Sequence, residues 1–355
     1  MWKDQRLCEL LEIEHPIIQA PMAGASTPEM AVAAANAGGM GSLGCATMTV
    51  DQVGSDMHRI RQDTNRAINL NFFVHTPPRE NSARALAAAG RLASWYEKFD
   101  AGDMPDAVVT HYPFDAEMCD AMVQLCPKVV SFHFGLPDAG IMTDLKSAGI
   151  TILSSATSVA EARYLEENGV DAIIAQGYEA GGHSGHFLPR GTAEVAGTMA
   201  LVPRIVDAVS LPVIAAGGIA DGRGIAAALM LGAAGVQIGT AFLATPESAA
   251  SDTHKRALLK ASGDETMLSP AFSGRHARTL VNKYATEMDD VQDWPDFPVM
   301  NTLTGPIRKA SAKAGSEDAI ALWSGQAVGL IRAASTTEVF NDLVTQTNEA
   351  LTSLT

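Results

Sequence analysis

The chain has 355 residues, of which 47% are hydrophobic and 18% charged, so it is long and apolar enough to bury a large core. Its net charge of −15 argues against a nucleic-acid surface and against attraction to anionic membranes. The four cysteines form no CxxC pair and no zinc-like cluster, so we predict no metal site and free thiols. The sequence shows no secretory signal and no run of 18 apolar residues, so we expect a cytoplasmic protein without a membrane-spanning helix.

Short apolar segments alternate with alanine-rich helical segments, which is typical of βαβ units and a parallel sheet. The predicted strands are 16–20, 40–44, 67–74, 129–134, 150–154, 172–175, 212–216 and 235–238. Eight strands with seven intervening helices predict a (β/α)₈ TIM barrel, an α/β fold. A doubly wound open sheet is the alternative.

The pattern changes after the eighth strand. Residues 246–302 are more polar and contain Trp294, Pro295, Pro298 and several acidic residues, so we predict a small substrate or lid insertion there. The barrel would then comprise residues 1–245 and 303–355. Further helices are expected at 306–314, 316–334 and 335–354.

The sixth strand leads into the loop Gln176-Gly-Tyr-Glu-Ala-Gly-Gly-His-Ser-Gly-His186. Its glycines permit left-handed backbone angles and close approach to a ligand, and loops at strand ends carry the chemistry of barrel enzymes. His183 and His186 are candidate catalytic residues. Glu179 is expected either to orient His183 or to form an ion pair within the loop, and His186 either to cap the loop or to face solvent.

Two further strand ends predict a phosphate site. Gly217-Gly218 and Gly239-Thr240 each follow a short apolar strand, where backbone N–H groups of barrel enzymes bind phosphate. The amides of Asn71 and Gln176 lie at strand ends, where they can form hydrogen bonds to a flat heterocycle. Gln19 and Gln237 lie nearer mid-strand, and the alternative for them is a hydrogen bond inside the barrel. Because neither a P-loop nor G-x-G-x-x-G follows the first strand, a mononucleotide such as FMN is favoured.

Several motifs together resemble the nitronate monooxygenase family. They are Gln19-Ala-Pro-Met-Ala-Gly24, Asn69-Leu-Asn-Phe-Phe73, Ser131-Phe-His-Phe-Gly135, Ala175-Gln-Gly-Tyr-Glu-Ala-Gly-Gly-His-Ser-Gly185, Ala215-Ala-Gly-Gly-Ile219, Gln237-Ile-Gly-Thr-Ala-Phe242 and Ala271-Phe-Ser-Gly-Arg-His-Ala-Arg278. The resemblance covers essentially the whole chain. It departs from the family in the insertion, where only Lys283-Tyr284 stands in for a tyrosine- and lysine-bearing motif that completes the substrate pocket in some members.

The resemblance implies FMN as the cofactor, His183 as the catalytic base and His133 as a residue lining the substrate side. Together with the strand-end residues, the expected cofactor-binding set is Ala20, Met22, Asn71, Gln176, Gly181, Gly182, Gly217, Gly218, Gln237, Ile238, Gly239 and Thr240. The other histidines have no supporting constellation and are expected to be structural or at the surface.

The implied reaction is oxidation of an alkyl nitronate, or of a nitroalkane, by O₂ to a carbonyl compound and nitrite. An imidazole suits a proton acceptor because its ordinary pKa leaves it mostly neutral at pH 7. The alternatives are an FMN- and NADH-dependent enoyl-acyl-carrier-protein reductase, a non-catalytic flavin-binding protein, and a related barrel that oxidises another acidic C–H substrate. Ala20-Pro21 replaces the Gly-Gly of the reductases at the first strand end, which favours the nitronate enzyme. A homodimer is expected as the assembly.

Overall fold

The computed structural model describes residues 2–78, 82–107, 109, 111–189 and 195–353. The strands are β1 (Ile17–Gln19), β2 (Gly41–Gly44), β3 (Ile68–Phe73), β4 (Val129–His133), β5 (Thr151–Ala156), β6 (Ala172–Gln176), β7 (Gly182–His183), β8 (Val213–Ala216), β9 (Gly235–Ile238), β10 (Thr266–Ser269) and β11 (Ala277–Leu280). The helices before the last barrel strand are α1 (Arg6–Leu11), α2 (Pro28–Asn36), α3 (Val50–Asp63), α4 (Ser82–Phe99), α5 (Ala116–Leu125), α6 (Ala139–Ser147), α7 (Val159–Glu167), α8 (Thr198–Val206) and α9 (Gly222–Met230). Those after it are α10 (Thr240–Leu243), α11 (Asp252–Lys260), α12 (Lys283–Glu287), α13 (Val299–Lys313) and α14 (Thr336–Thr352).

Eight parallel strands form one sheet in the order β1-β9-β8-β6-β5-β4-β3-β2. The two edge strands meet at a parallel bridge between Ile18 and Met40, where the Gln19 N–H donates to the Met40 carbonyl at 2.9 Å. The sheet is therefore a nearly closed barrel, and the predicted TIM barrel is confirmed. All eight predicted strands occur in place, and the open-sheet alternative is wrong because the edges pair.

The barrel strands are buried on both faces. One apolar cluster fills the barrel interior with residues such as Ile18, Leu153 and Ile174, and a larger one lies between the strands and the surrounding helices. Since both faces are covered, the strands contain continuous apolar runs rather than alternating ones, which is what made them recognisable. Within the described residues, no helix has both the length and the apolarity needed to cross a membrane.

A second, smaller sheet lies outside the barrel and has the antiparallel order β10-β11-β7. Its two-residue strand β7 is part of the histidine loop, so this loop is held in a ladder. Beside it, a second apolar core joins α4 to α13 through Leu92, Trp95, Met300 and Leu303. The division of the chain into barrel and insertion stays a prediction.

The C-terminal region differs from the sequence expectation. Helix α13 begins at Val299, so Pro306 lies inside it rather than at its start; the apolar contacts of Met300, Leu303 and Ile307 hold the earlier turns. The helix predicted at 316–334 is wrong, because only Gln326–Leu330 is helical, as a 3₁₀ turn. Its backbone N–H groups bind distant partners instead of forming a helix. The terminal helix is confirmed as α14, and the predicted last residue, 354, lies outside the described residues.

Candidate active site

The histidine loop leaves the barrel at the carboxyl end of β6. Gly177 donates its N–H to the Ala216 carbonyl at 2.9 Å. A side chain on Gly177 would lie 2.1 Å from the Thr198 hydroxyl oxygen, so only glycine fits here. The close approach brings the start of the loop against α8 and the end of β8.

The amide of Gln176 holds the rest of the loop. Its Oε1 accepts from the Gly185 N–H at 2.6 Å, and its Nε2 donates to the His183 carbonyl at 3.0 Å. Both ends of the predicted cofactor-binding amide are thus bonded to the loop that carries His183. A contact from Gln176 to a cofactor stays a prediction.

His183 is fixed by backbone pairing and by one side-chain partner. In the small sheet it pairs with Ala277 of β11, and its Nε2 lies 2.8 Å from the Ser273 hydroxyl. Four aromatic side chains surround its ring at centroid distances of 5.5–6.0 Å: Phe73, Phe134, Phe297 and Trp323. This desolvation, helped by neighbouring His133 and two arginines, lowers the pKa of His183 to about 3. The imidazole is neutral at physiological pH.

His133 has both ring nitrogens engaged. Its Nε2 lies 3.2 Å from the His183 carbonyl and its Nδ1 lies 2.8 Å from the Ser155 hydroxyl. Because a carbonyl only accepts, Nε2 carries the proton and Nδ1 accepts from Ser155. Burial lowers the pKa of His133 to about 4, so it stays neutral. The structure places His133 under the histidine loop as a support, and its expected role on the substrate side is untested.

Two other residues of the loop, Glu179 and His186, have partners of their own. Glu179 shows neither expected role among the described residues: its carboxylate accepts from the Thr198 N–H and hydroxyl at 2.8 and 2.9 Å. It thereby caps α8, whose own N-cap residue is a glycine without a side chain. His186 is partly buried, with its Nδ1 3.4 Å from the Ser184 hydroxyl, and its carbonyl accepts from Arg275.

The two glycine-bearing strand ends lie together, as predicted. Gly217 and Gly218 both adopt positive φ, 103° and 72°, which orients their N–H groups in a way that other residues resist. The neighbouring Thr240 hydroxyl accepts from the Gly325 N–H at 2.9 Å, so its own proton is available to a ligand. A cavity of about 500 Å³ opens beside the glycine pair, and Glu179 and Thr198 also line it.

The first strand end closes the same region. Ala20 donates its N–H to the Ile238 carbonyl at 2.8 Å. A side chain on Gly239 would lie 3.6 Å from Ala20 Cβ and 3.7 Å from Met22 Sδ. On the other side, a side chain on Gly181 would lie 2.6 Å from the Gly325 nitrogen, and Gly182 has φ of 69°. The structure therefore assembles most of the predicted cofactor residues at one end of the barrel.

The amides in the barrel divide into two groups. Gln19 is satisfied inside the barrel, where its Oε1 accepts from the Ser42 N–H at 2.8 Å, and Asn71 donates to the Ser131 hydroxyl at 2.9 Å. In contrast, the Oε1 of Gln237 is buried and has no hydrogen-bond partner in the described part of the chain. Such an atom is expected to have a partner when the site is complete.

Several site residues were not singled out by the sequence. Ser273, Phe297, Trp323 and Arg308 lack a local signature; for Ser273 the only signal was its place in the Ala271–Arg278 motif. His75 was expected to be structural or at the surface. It packs against the Phe297 ring at 4.8 Å, and burial lowers its pKa to about 4.

The comparisons with known proteins agree with this fold. The family model described as "Nitronate monooxygenase" matches residues 4–346. A probable nitronate monooxygenase of Staphylococcus aureus is 38% identical over 353 residues, covering 99% of both chains. The nitroalkane oxidase from Streptomyces ansochromogenes has 38% identity and a TM-score of 0.91, covering 99% of this chain and 100% of that one. FabK from Thermotoga maritima has 29% identity and a TM-score of 0.76, covering 98% and 97%. With the sequence family and the barrel architecture in agreement over nearly the full length, this chain belongs to the nitronate monooxygenase family.

Proposed function

We propose that this protein oxidises alkyl nitronates, and less readily nitroalkanes, with bound FMN and O₂, giving a carbonyl compound and nitrite. Family membership supports a flavin-dependent oxidoreductase acting on this substrate class. The observation that carries the proposal is His183, which is anchored on Ser273 inside an aromatic enclosure beside the two glycine-bearing strand ends.

The residues at the strand ends fit a flavin mononucleotide. Gly217, Gly218 and the Thr240 hydroxyl present donors suited to its phosphate, and the unpartnered Gln237 oxygen suits a donor on the ring system. Ala20 and Met22 lie close to Gly239, since a side chain there would be in van der Waals contact with both. When bound, FMN supplies electron acceptance from the substrate and electron transfer to O₂.

Ser273 determines which nitrogen of His183 is basic. We infer that its single hydroxyl proton goes to the Arg275 carbonyl, 3.2 Å away, so that the His183 Nε2 carries its own proton and donates to Ser273. The other ring nitrogen, Nδ1, is then unprotonated and faces away from Ser273. It is the atom that accepts the α-proton of a neutral nitroalkane.

The low pKa of His183 determines which of the two substrates we expect to be oxidised more readily. The sequence suggested an ordinary imidazole, but burial lowers its pKa to about 3, which makes the neutral ring a weak base. Removing a proton from a neutral nitroalkane is therefore costly until negative charge develops beside the ring. A nitronate is already deprotonated and needs no base, so we expect it to be the better substrate.

The test is to purify the flavin-loaded protein and measure O₂ uptake and nitrite release with propionate 3-nitronate and with nitroethane. His183→Ala should reduce turnover of nitroethane more than turnover of the nitronate, since only the neutral substrate needs a base. His186→Ala, three residues away, serves as the control and should retain most activity. A flavin-loaded protein that consumes no O₂ with any nitronate would refute the proposal.

The structural likeness to FabK makes a reductase the alternative to exclude. NADH oxidation in the presence of an enoyl thioester, with no nitrite from nitronates, would favour that activity. The separating feature on this chain is the first strand end, where Ala20 and Pro21 stand in place of glycines.

A further inference from the structure

Arg308 on α13 is a partly buried cation with an incomplete set of partners. Its Nη2 donates to Asn301, at 2.8 Å to Oδ1 and 3.0 Å to the carbonyl. Its Nε is buried and has no hydrogen-bond partner, and no ion pair to a carboxylate is found for it among the described residues. Because a buried guanidinium is costly unless it is paired, this arrangement calls for an anion that none of the described residues supplies.

The position of Arg308 relates it to the site already described. Thr304, one turn before Arg308 on α13, donates its hydroxyl to the Phe272 carbonyl at 2.6 Å, and the next residue, Ser273, is the partner of the His183 ring. The positive charge of Arg308 also lowers the pKa of His183. Helix α13 follows directly after Phe297, whose ring lies 5.6 Å from that of His183. Helix α13, which carries Arg308, is therefore in direct contact with the segment that holds His183.

The local charge contrasts with that of the whole chain. Burial lowers the pKa of Arg308 only to about 10, so it is cationic at neutral pH, whereas His183 and His133 are neutral. A positive charge in a desolvated pocket is stronger than one at the surface of a protein with a net charge of −15. The enclosure is thus built to receive negative charge.

We propose that Arg308 binds the negative charge of the substrate and is the residue that selects the ionised nitronate over the neutral nitroalkane. This inference rests on the proposed function and assigns the choice of ionisation state to one side chain. A charge-assisted hydrogen bond is worth more than one to a neutral nitro group, so Arg308 stabilises the bound nitronate and gains little from the nitroalkane. His183, being neutral, cannot supply this discrimination.

The experiment uses nitrate, a planar monovalent oxyanion, as a probe that needs no turnover. Its dissociation constant is measured by calorimetry on the flavin-loaded protein and on Arg308→Gln, Arg308→Lys and Lys309→Gln. We expect nitrate binding to weaken roughly 10- to 100-fold in Arg308→Gln. Arg308→Lys, which keeps the charge, should bind nitrate more tightly than Arg308→Gln. Lys309→Gln removes the same charge from the next, exposed residue of the helix and should bind nitrate like the parent.

A second readout is the ratio of kcat/KM for ethyl nitronate to that for nitroethane, which should fall by a similar factor in Arg308→Gln alone. Nitrate binding unchanged in Arg308→Gln, or weakened equally in Lys309→Gln, refutes the role of Arg308. If Arg308→Gln yields no folded protein, Arg308→Lys serves as the test. Nitrate binding about threefold or more weaker than in the parent supports the proposal, and unchanged nitrate binding refutes it. A parent protein that oxidises no nitronate but binds nitrate, with binding weakened in Arg308→Gln and not in Lys309→Gln, would refute the proposed function and leave the anion site standing.

Discussion

Acidification should destabilise this protein through its buried histidines, and His254 offers the cleanest test. His254 on α11 is buried, and its Nε2 lies 3.1 Å from the Trp323 carbonyl, so that nitrogen carries the proton. Burial lowers its pKa to about 4. Unfolded, it returns to about 6.5, so below that pH the unfolded chain binds more protons than the folded one and stability falls as the pH falls.

The size of the effect follows from these two pKa values. Between pH 7 and pH 5, a histidine with a folded pKa near 4 costs about 2 kcal/mol of unfolding free energy. Burial of His75, His133 and His183 acts in the same direction. Since whole domains have about 5–15 kcal/mol of stability, the loss is large enough to measure.

The assay is urea unfolding at pH 7 and pH 5, followed by tryptophan fluorescence, on the parent and on His254→Gln. Glutamine keeps an N–H donor for Trp323 and cannot be protonated, so the loss between the two pH values should be about 2 kcal/mol smaller in the variant. Because the free energy of unfolding at pH 5 is compared with that at pH 7 for the same protein, any effect of the substitution that does not depend on pH cancels. His58→Gln, on the exposed side of α3, is the control and should lose as much as the parent. An equal loss in His254→Gln and the parent would refute the reasoning.

Three further predictions concern the supports of the site. Ser273→Ala removes the partner of the His183 Nε2 at 2.8 Å, so turnover of nitroethane should fall about 10-fold or more while nitronate turnover changes less, measured by nitrite release. Glu161→Gln should lower the free energy of unfolding, measured in urea, by about 1–3 kcal/mol. The buried carboxylate accepts hydrogen bonds from the N–H groups of Phe187 and Leu188, and in the variant an amide nitrogen would face those donors. Glu167→Gln, at an exposed position of the same helix, is the control and should have little effect. Gly177→Ala should abolish folding or lower the free energy of unfolding by more than about 3 kcal/mol, since its Cβ would lie 2.1 Å from the Thr198 hydroxyl oxygen. Gly90→Ala, in the open part of α4, should instead stabilise the protein by up to about 1 kcal/mol. Thermal unfolding of both variants tests these two expectations.

The barrel was predictable because its signals are local. Each strand is a short apolar run that ends at glycine, proline or a polar residue, and the caps Thr27, Thr49 and Ser158 mark helix starts within a few residues. The parallel order and the closure then follow from alternation and strand count. For the same reason, the strand-end residues Gly218 and Thr240 could be assigned to one face.

The surroundings of His183 were not predictable because they depend on pairing between distant segments. Strand β7 has two residues and no pattern of its own; it exists because Ala277 and Arg278 lie beside it. The segment after α13 contains helix-forming residues, but its N–H groups bind Arg278, Thr240 and Glu179, which no local propensity encodes. The pKa of His183 likewise depends on aromatic walls from four separate parts of the chain.

The strand pairing of the histidine loop also bears on the order of synthesis. The last barrel strand ends at Ile238, yet β11, Ser273 and Trp323, which hold His183, follow it in the chain. While the ribosome is still adding these residues, the eight barrel strands have already emerged and the loop has no ladder to join. The barrel and the surroundings of His183 are therefore completed at different moments, and a chain cut short after the barrel would have its histidine without its partners.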